Sequence, residues 1–145
     1  VHGAIADNNA GLALAIVNGM IEDYRILSGD NQTLWRENLQ RLASAIIPLA
    51  LQKLREYPLD SFALSPLEFL FPLCGPEDQR QIMLAYQQAV VHALKAARLF
   101  ASSPQGIDPK LILEKLRSAE KYASKARMDV ESEIAEIRSM ISKAR

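Results

Sequence analysis

The chain has 145 residues, 49% of them hydrophobic, which is enough to bury a core and typical of one globular domain. Seventeen basic residues balance 17 acidic ones, so the formal net charge of zero excludes a whole-protein field that would draw the chain onto nucleic acid or an acidic membrane. The single cysteine, Cys74, excludes an internal disulfide and fits a reducing compartment if the protein is intracellular.

The first predicted helix runs from about Asn8 to Ser28, with Gly29 suited to end it. Its apolar residues recur at alternating gaps of four and three, which align side chains on one helix face. They are Ala13, Val17, Met20, Tyr24 and Leu27. The most apolar window, residues 11–21, covers about 11 residues, whereas a membrane span needs roughly 20. We therefore expect no membrane span.

Three small residues, Gly11, Ala15 and Gly19, lie four apart on this helix. Glycine inside a helix costs up to about 1 kcal/mol relative to alanine, so two glycines on one face indicate that something approaches the backbone closely. A packed neighbouring helix is the expected partner, and a ligand or a nucleic-acid backbone is the alternative.

A second helix is predicted from Thr33 to about Tyr57. Pro48 lies inside it and removes a hydrogen bond, which predicts a kink or a division into two shorter helices. A third helix is predicted to start at Pro76, where Glu77 and Asp78 suit the positive helix end, and to stop near residue 102.

The segment that joins the second helix to the third, residues 58–76, is rich in phenylalanine and leucine and is interrupted by four prolines. Loops are usually polar and exposed, so this apolar crossover must be covered by something. Either it caps the open end of a helical bundle or it is a hydrophobic docking patch for another chain. The residues that would form the patch are Phe62, Leu67, Phe69 and Phe71.

The last predicted helix starts at Pro109, with Asp108 as its cap, and contains no glycine or proline up to Arg145. A single helix over about 109–144 would be roughly 50 Å long at 1.5 Å per residue, so we expect it to project partly beyond the body. Two consecutive gaps of four around Val130 resemble a stutter that divides its apolar stripe into two halves. The second half predicts an assembly surface formed by Ile134, Ile137, Met140 and Ile141.

The first half of that helix is basic, since residues 109–128 contain six basic and two acidic side chains. Arg117, Lys121 and Lys125 are spaced four apart and share a face, which is typical of a stripe that follows phosphates, and Tyr122 beside them can stack on a base. The alternative is an ordinary solvated face with ion pairs between neighbouring turns.

Signatures of enzymes are missing from the sequence: there is no Gly-rich phosphate loop, nucleophile elbow or pair of Cys or His at metal-binding spacing. A small enzyme would have to use His92 or the carboxylates of Glu68 and Glu77, and His92 has no obvious carboxylate partner in sequence. We therefore predict a protein that is not an enzyme and that needs no cofactor or metal.

The predicted fold is all-α: a bundle of four main helices in a single domain, 1–145, with an apolar, Pro-rich crossover and a long C-terminal helix. The expected function is that of a structural or interaction protein that packs with copies of itself or with another protein. The alternative is a helical nucleic-acid-binding subunit of a coat or filament, in which the basic stripe repeats along a polymer.

Overall fold

A computed structural model describes residues 10–26, 29–103 and 108–143. In these ranges the chain is all-helical and has no strand, which confirms the fold class. The helices are α1 (Ala10–Ile26), α2 (Asp30–Glu56), α3 (Ser61–Leu70), α4 (Pro76–Ala101), α5 (Pro109–Ala126) and α6 (Glu131–Lys143), with a short 3₁₀ helix at Phe71–Leu73. The predicted first-helix boundaries at Asn8 and Ser28 lie outside the described residues. No helix in the described part is long and apolar enough to cross a membrane.

The contacts of the chain form two compact units, Val1–Ile82 and Met83–Arg145. The described residues contain six α-helices where four main helices were expected. The difference arises because the predicted crossover is itself helical and the predicted long last helix is two helices. A single domain over 1–145 stays a prediction.

In the first unit, α1, α2 and α3 pack against one another. Gly29 adopts φ 63°, a left-handed conformation that glycine accepts without steric cost, and it joins α1 to α2. α2 is continuous through Pro48, and both Pro48 and Ser44, whose carbonyl loses its helical donor, are exposed to solvent. The largest fully buried side chains of this unit are Leu14, Val17, Ile21, Leu39, Ile46, Ile47, Leu64, Leu67, Leu70 and Ile82.

Residues 61–70 of the crossover form α3, although the crossover contains four prolines. The Asp60 carboxylate caps the helix by accepting a hydrogen bond from the backbone N–H of Phe62 at 2.9 Å. Pro66 lies inside α3 and cannot donate to the Phe62 carbonyl, and the side-chain amide of Asn18 in α1 donates to that carbonyl instead, at 3.1 Å. The side chain of Asn18 in α1 thus replaces the hydrogen bond that Pro66 removes from α3.

The prediction of one helix over 109–144 is wrong, because α5 ends at Ala126. Arg127 adopts a left-handed conformation at φ 56°, and the backbone N–H of Met128 donates to the Ala123 carbonyl at 2.9 Å, as in a Schellman C-cap. The Asp129 carboxylate then accepts from the N–H of Glu131 at 3.1 Å and starts α6. The break falls beside the stutter in the apolar stripe.

In the second unit, α6 turns back and contacts both other helices. Arg98 of α4 lies 2.8 Å from the Glu136 carboxylate, and Arg138 of α6 lies 3.4 Å from the Glu120 carboxylate of α5. The prediction of a projecting half is therefore also wrong: α6 turns back at Arg127, and Ile134 and Ile137 of its apolar stripe are buried.

Candidate interaction surface

Of the crossover residues predicted to form a docking patch, Phe62 is the exposed one, at 63%. Leu67 is completely buried, so its assignment to a surface patch is wrong. Phe69 is half-buried and meets the ring of Tyr24 edge to face, with centroids 5.0 Å apart. Phe71 is also half-buried. The segment serves mainly as core because α3 turns its apolar side toward α1 and α2.

The residues predicted to form an assembly surface on the last helix are buried or half-buried. Ile134 and Ile137 are buried, which contradicts their assignment, and Met140 and Ile141 are half-buried. The stripe has the composition of an interface, but the turn between α5 and α6 gives it an intramolecular partner.

An exposed apolar face lies on α1 instead, where the sequence predicted close packing. This surface, which we call the α1 face, consists of Gly11, Leu12, Ala15, Gly19 and Ile26. Leu12 is 50% exposed and Ile26 83% exposed, and a Cβ atom placed on Gly19 would meet no atom within 4 Å. Among the residues that the structure describes, no neighbouring helix covers Gly11, Ala15 and Gly19, so the expected packed helix is not found there.

The α1 face has a regular geometry. Leu12, Gly19 and Ile26 are seven residues apart, so they lie two helical turns from each other, about 10 Å along the axis, on nearly the same side. Residues 10–21 contain no charged side chain at all. That absence is the signal by which the sequence could have revealed the surface, because a solvated helix face normally carries charges.

The backbone of Phe62 lies next to α1, and its side chain is exposed. Its carbonyl is bonded to Asn18, the residue next to Gly19, so the exposed phenylalanine stands beside the middle of α1. The only charged residues placed on the outer side of α1 with described side chains are Glu22 and Asp23, near its C-terminal end. The exposed side of α1 therefore carries apolar or small side chains in its N-terminal half and acidic side chains near its C-terminal end.

The basic residues predicted to follow phosphates are exposed on α5: Arg117, Lys121 and Lys125. The expected role of Tyr122 is wrong, because its ring is buried and stacks on Tyr86, with centroids 5.8 Å apart and planes at 23°. Lys121 lies over the same ring at 5.2 Å from its centroid. The stripe thus presents cations to solvent but no aromatic platform.

The structure places the candidate catalytic residues on α3 and α4. His92 is exposed on α4, Glu68 is half-buried on α3, and Glu77 is exposed and pairs with Arg80 at 3.1 Å. Within the described ranges no group of three or more His, Cys, Asp or Glu side chains is arranged to hold a metal ion. Acid–base catalysis usually relies on groups that converge in a cleft, whereas His92 and Glu77 are exposed on α4 and Glu68 lies on α3.

Cys74 is half-buried, and its thiol donates a weak hydrogen bond to the Phe71 carbonyl at 3.4 Å. Burial raises the pKa of the thiol, and the negative charge of Asp78 raises it further, while a backbone hydrogen bond opposes them. A raised pKa lowers the fraction of thiolate, the form that acts as a nucleophile or binds metal. The environment of Cys74 therefore suits a structural cysteine.

A cleft of about 500 Å³ lies between α5 and α6. Three of the charged residues that line it are engaged: Glu120 pairs with Arg138 across it, and Asp129 caps α6. Ligand sites need polar groups that converge on the ligand, whereas these bind each other.

Comparison with protein-family models, curated proteins and solved structures finds no match to this chain.

Proposed function

We propose that this chain is a non-enzymatic interaction protein that acts by packing helices in an assembly with itself or with another protein. The observation that carries the proposal is the α1 face: Leu12 projects into solvent from a stretch, residues 10–21, that has no charged side chain, and Ile26 projects beyond the exposed Glu22 and Asp23. Exposed apolar patches on soluble domains commonly mark sites of association.

The shape of the face favours a helix as the bound element. Gly11, Ala15 and Gly19 leave the backbone of α1 accessible over about two turns, so a second helix can approach closely. Leu12 and Ile26, the large side chains near the two ends of the α1 face, supply the apolar area that a bound helix would bury. Burying a leucine or isoleucine side chain completely contributes roughly 1.5–3 kcal/mol, so these two anchors account for a useful part of a binding energy.

The experiment compares the wild-type chain with a double variant, Leu12→Lys and Ile26→Lys. Both side chains are exposed, so the fold should survive, and far-UV circular dichroism checks that it does. The solution mass is measured by light scattering, and a tagged chain is used to recover binding proteins from its source. We expect wild type to associate and the double variant to lose that association, because two ammonium groups would have to be desolvated at the interface.

The matched control is the double variant Val91→Lys and Leu99→Lys, which replaces two exposed apolar side chains of α4. It carries the same added charge on a different helix and should associate like wild type. If the α1 variant associates as strongly as wild type, the α1 face is not the site and the proposal fails.

A second candidate function, nucleic-acid binding by a repeated subunit, is favoured by the exposure of Arg117, Lys121 and Lys125 on one face of α5. Three phosphate contacts per subunit predict a slope of log K against log salt of about −2 on single strands. Replacing Arg117 and Lys125 with Ala leaves one contact, Lys121, and should reduce that slope to about −0.7. Binding that does not change with salt would contradict a phosphate-driven mode.

A further inference from the structure

We infer that α6 is an exchangeable helix: two copies of this chain form a dimer in which α6 of each copy packs on α4 and α5 of the other. In that dimer α6 occupies the place that the copy's own α6 occupies in the single chain. The surface is separate from the α1 face, so the inference goes beyond the proposed function and does not depend on it.

The contacts that α6 makes in the single chain define the interface of the dimer. Ile137 of α6 is completely buried. The side of α4 and α5 that holds α6, which we call the receiving surface, also matches its charges: Arg98 lies 2.8 Å from the carboxylate of Glu136, and Glu120 lies 3.4 Å from Arg138. Because every copy has the same sequence, α6 of a second copy brings the same apolar and charged side chains to the receiving surface.

The connection between α5 and α6 is short and carries a steric cost. It consists of residues 127–130, the four residues between the end of α5 and the start of α6. Arg127 has φ 56°, a left-handed conformation in which the Cβ atom of an ordinary residue is crowded. Short connections under strain favour exchange, because opening removes the strain while the other contacts form again between two copies.

The sequence of the connection suits a helix that continues through it. Residues 125–131 contain no glycine or proline, and Lys, Ala, Arg and Met are good helix formers. In a continuous helix Lys125 lies four residues before Asp129, and Arg127 lies four residues before Glu131. Opposite charges at this spacing attract each other. In the opened chain α6 points away from its own receiving surface, so its apolar side chains need the receiving surface of another copy.

Protein concentration selects between the closed chain and the dimer. Both forms contain the same contacts between α6 and a receiving surface, so they differ in the connection and in the entropy that association costs. Dilution therefore favours the closed chain, which is the form described above, and high concentration favours the dimer. Exchange requires α6 to leave its own chain first, so refolding at high concentration is the condition under which it is detected.

The test reverses the two ion pairs from one side at a time. The first chain carries Glu136→Arg and Arg138→Glu, which reverse the charges of α6. The second carries Arg98→Glu and Glu120→Arg, which reverse the charges of the receiving surface. Each chain, closed or paired with its own kind, places like charges together at both positions. An exchanged dimer that contains one chain of each kind matches all four pairs.

Both chains also carry Leu12→Lys and Ile26→Lys, so that association through the α1 face does not contribute. The two chains have the same composition, so one is labelled with ¹⁵N. They are unfolded in urea, refolded together at high concentration and counted by native mass spectrometry. The reversed residues are exposed, so the fold should survive, and far-UV circular dichroism checks each chain alone.

We expect dimers that contain one chain of each kind to outnumber dimers of a single kind at least about tenfold, because only the mixed dimer restores the ion pairs. A mixture that contains only monomers would overturn the inference. Equal numbers of mixed and single-kind dimers would also overturn it, since such dimers do not use the receiving surface. Either result leaves the proposed function untouched, because the α1 face takes no part in this experiment.

A second measurement tests the connection, in a chain that carries only the two lysine substitutions of the α1 face. Arg127→Gly should raise the dissociation constant of its dimer by about a hundredfold, because glycine fits the left-handed turn, weakens a continuous helix, and acts twice in each dimer. Arg127→Ala is the matched control. Alanine keeps the steric cost of the turn and favours the helix, so dimerisation should stay within about threefold of the parent chain.

Light scattering after refolding at a series of concentrations gives the dissociation constants of the three chains. A glycine variant that dimerises as well as the alanine variant would overturn the inference, because the dimer would then form without opening of the turn. A parent chain that stays monomeric at the highest concentration reached would overturn it as well.

Discussion

Asn18 of α1 donates a hydrogen bond, at 3.1 Å, to the carbonyl of Phe62, which is the carbonyl that Pro66 leaves without a helical donor. A proline inside a helix removes the bond to the residue four positions earlier. Here a side chain from the neighbouring helix replaces it. The same bond joins α3 to α1, the helix that carries the candidate interaction surface.

The first prediction concerns that hydrogen bond. Asn18→Ala should lower the free energy of unfolding by about 0.5–1 kcal/mol, because the Phe62 carbonyl loses its donor in the folded state. In a Pro66→Ala background, where the backbone N–H is restored, the same substitution should cost less. Urea unfolding of the four variants of this cycle measures the difference. Equal costs in both backgrounds would contradict the compensating role of Asn18.

The second prediction concerns the turn between α5 and α6. Arg127→Gly should raise the free energy of unfolding by about 0.5–1 kcal/mol, because a non-glycine residue in the left-handed conformation carries a steric cost that glycine avoids. The matched control is Arg117→Gly, in the exposed interior of α5, which should lower it by about 1 kcal/mol. Thermal or urea unfolding measures both. A loss of stability in Arg127→Gly would indicate that α5 and α6 are one continuous helix.

The third prediction concerns the stacked rings of Tyr86 and Tyr122 in the second unit. Tyr122→Ala should lower the free energy of unfolding by about 3 kcal/mol or more, because it removes a buried aromatic ring and leaves a cavity. Tyr57→Ala, which removes an exposed ring beneath Lys53, should cost no more than about 1 kcal/mol. Similar small costs for the two variants would mean that Tyr122 is accessible after all, and would make it a possible base contact again.

The fourth prediction concerns the thiol of Cys74. Because burial and the charge of Asp78 raise its pKa, less thiolate is present at a given pH, and the rate of alkylation should rise at higher pH than in the urea-unfolded chain. Asp78→Asn should shift the curve of rate against pH toward lower pH. Iodoacetamide labelling followed by mass spectrometry measures both curves. A curve that coincides with that of the unfolded chain would contradict the raised pKa.

The same shift has a consequence for stability. Since the pKa of the thiol is higher in the folded state, the folded chain holds the proton more tightly than the unfolded chain. The contribution of Cys74 to stability is therefore fully present below the unfolded pKa and is lost as the pH rises through the folded pKa. Cys74→Ser should remove this part of the pH dependence.

Local signals in the sequence predicted most of the helices. The cap at Asp108, the helix start at Pro76 and the end of α4 near residue 102 agree with the structure, because capping and proline effects act within a few residues. The stutter near Val130 marked the place where the last helix divides. The sequence did not predict that the helix ends there, because no glycine or proline lies nearby. Arg127 adopts the left-handed conformation that glycine usually takes.

What the amino-acid sequence determined by itself is the all-helical class and the amphipathic character of each segment, because both follow from local propensity and from a period of 3.6 residues. Tertiary structure alone decided which apolar faces are buried. Ile134, Ile137 and Leu67 were predicted to lie on interfaces and are core. Leu12 and Ile26 lie on a helix predicted to be packed and are exposed. Burial depends on which segments meet in space, and periodicity within one segment carries no information about its partner.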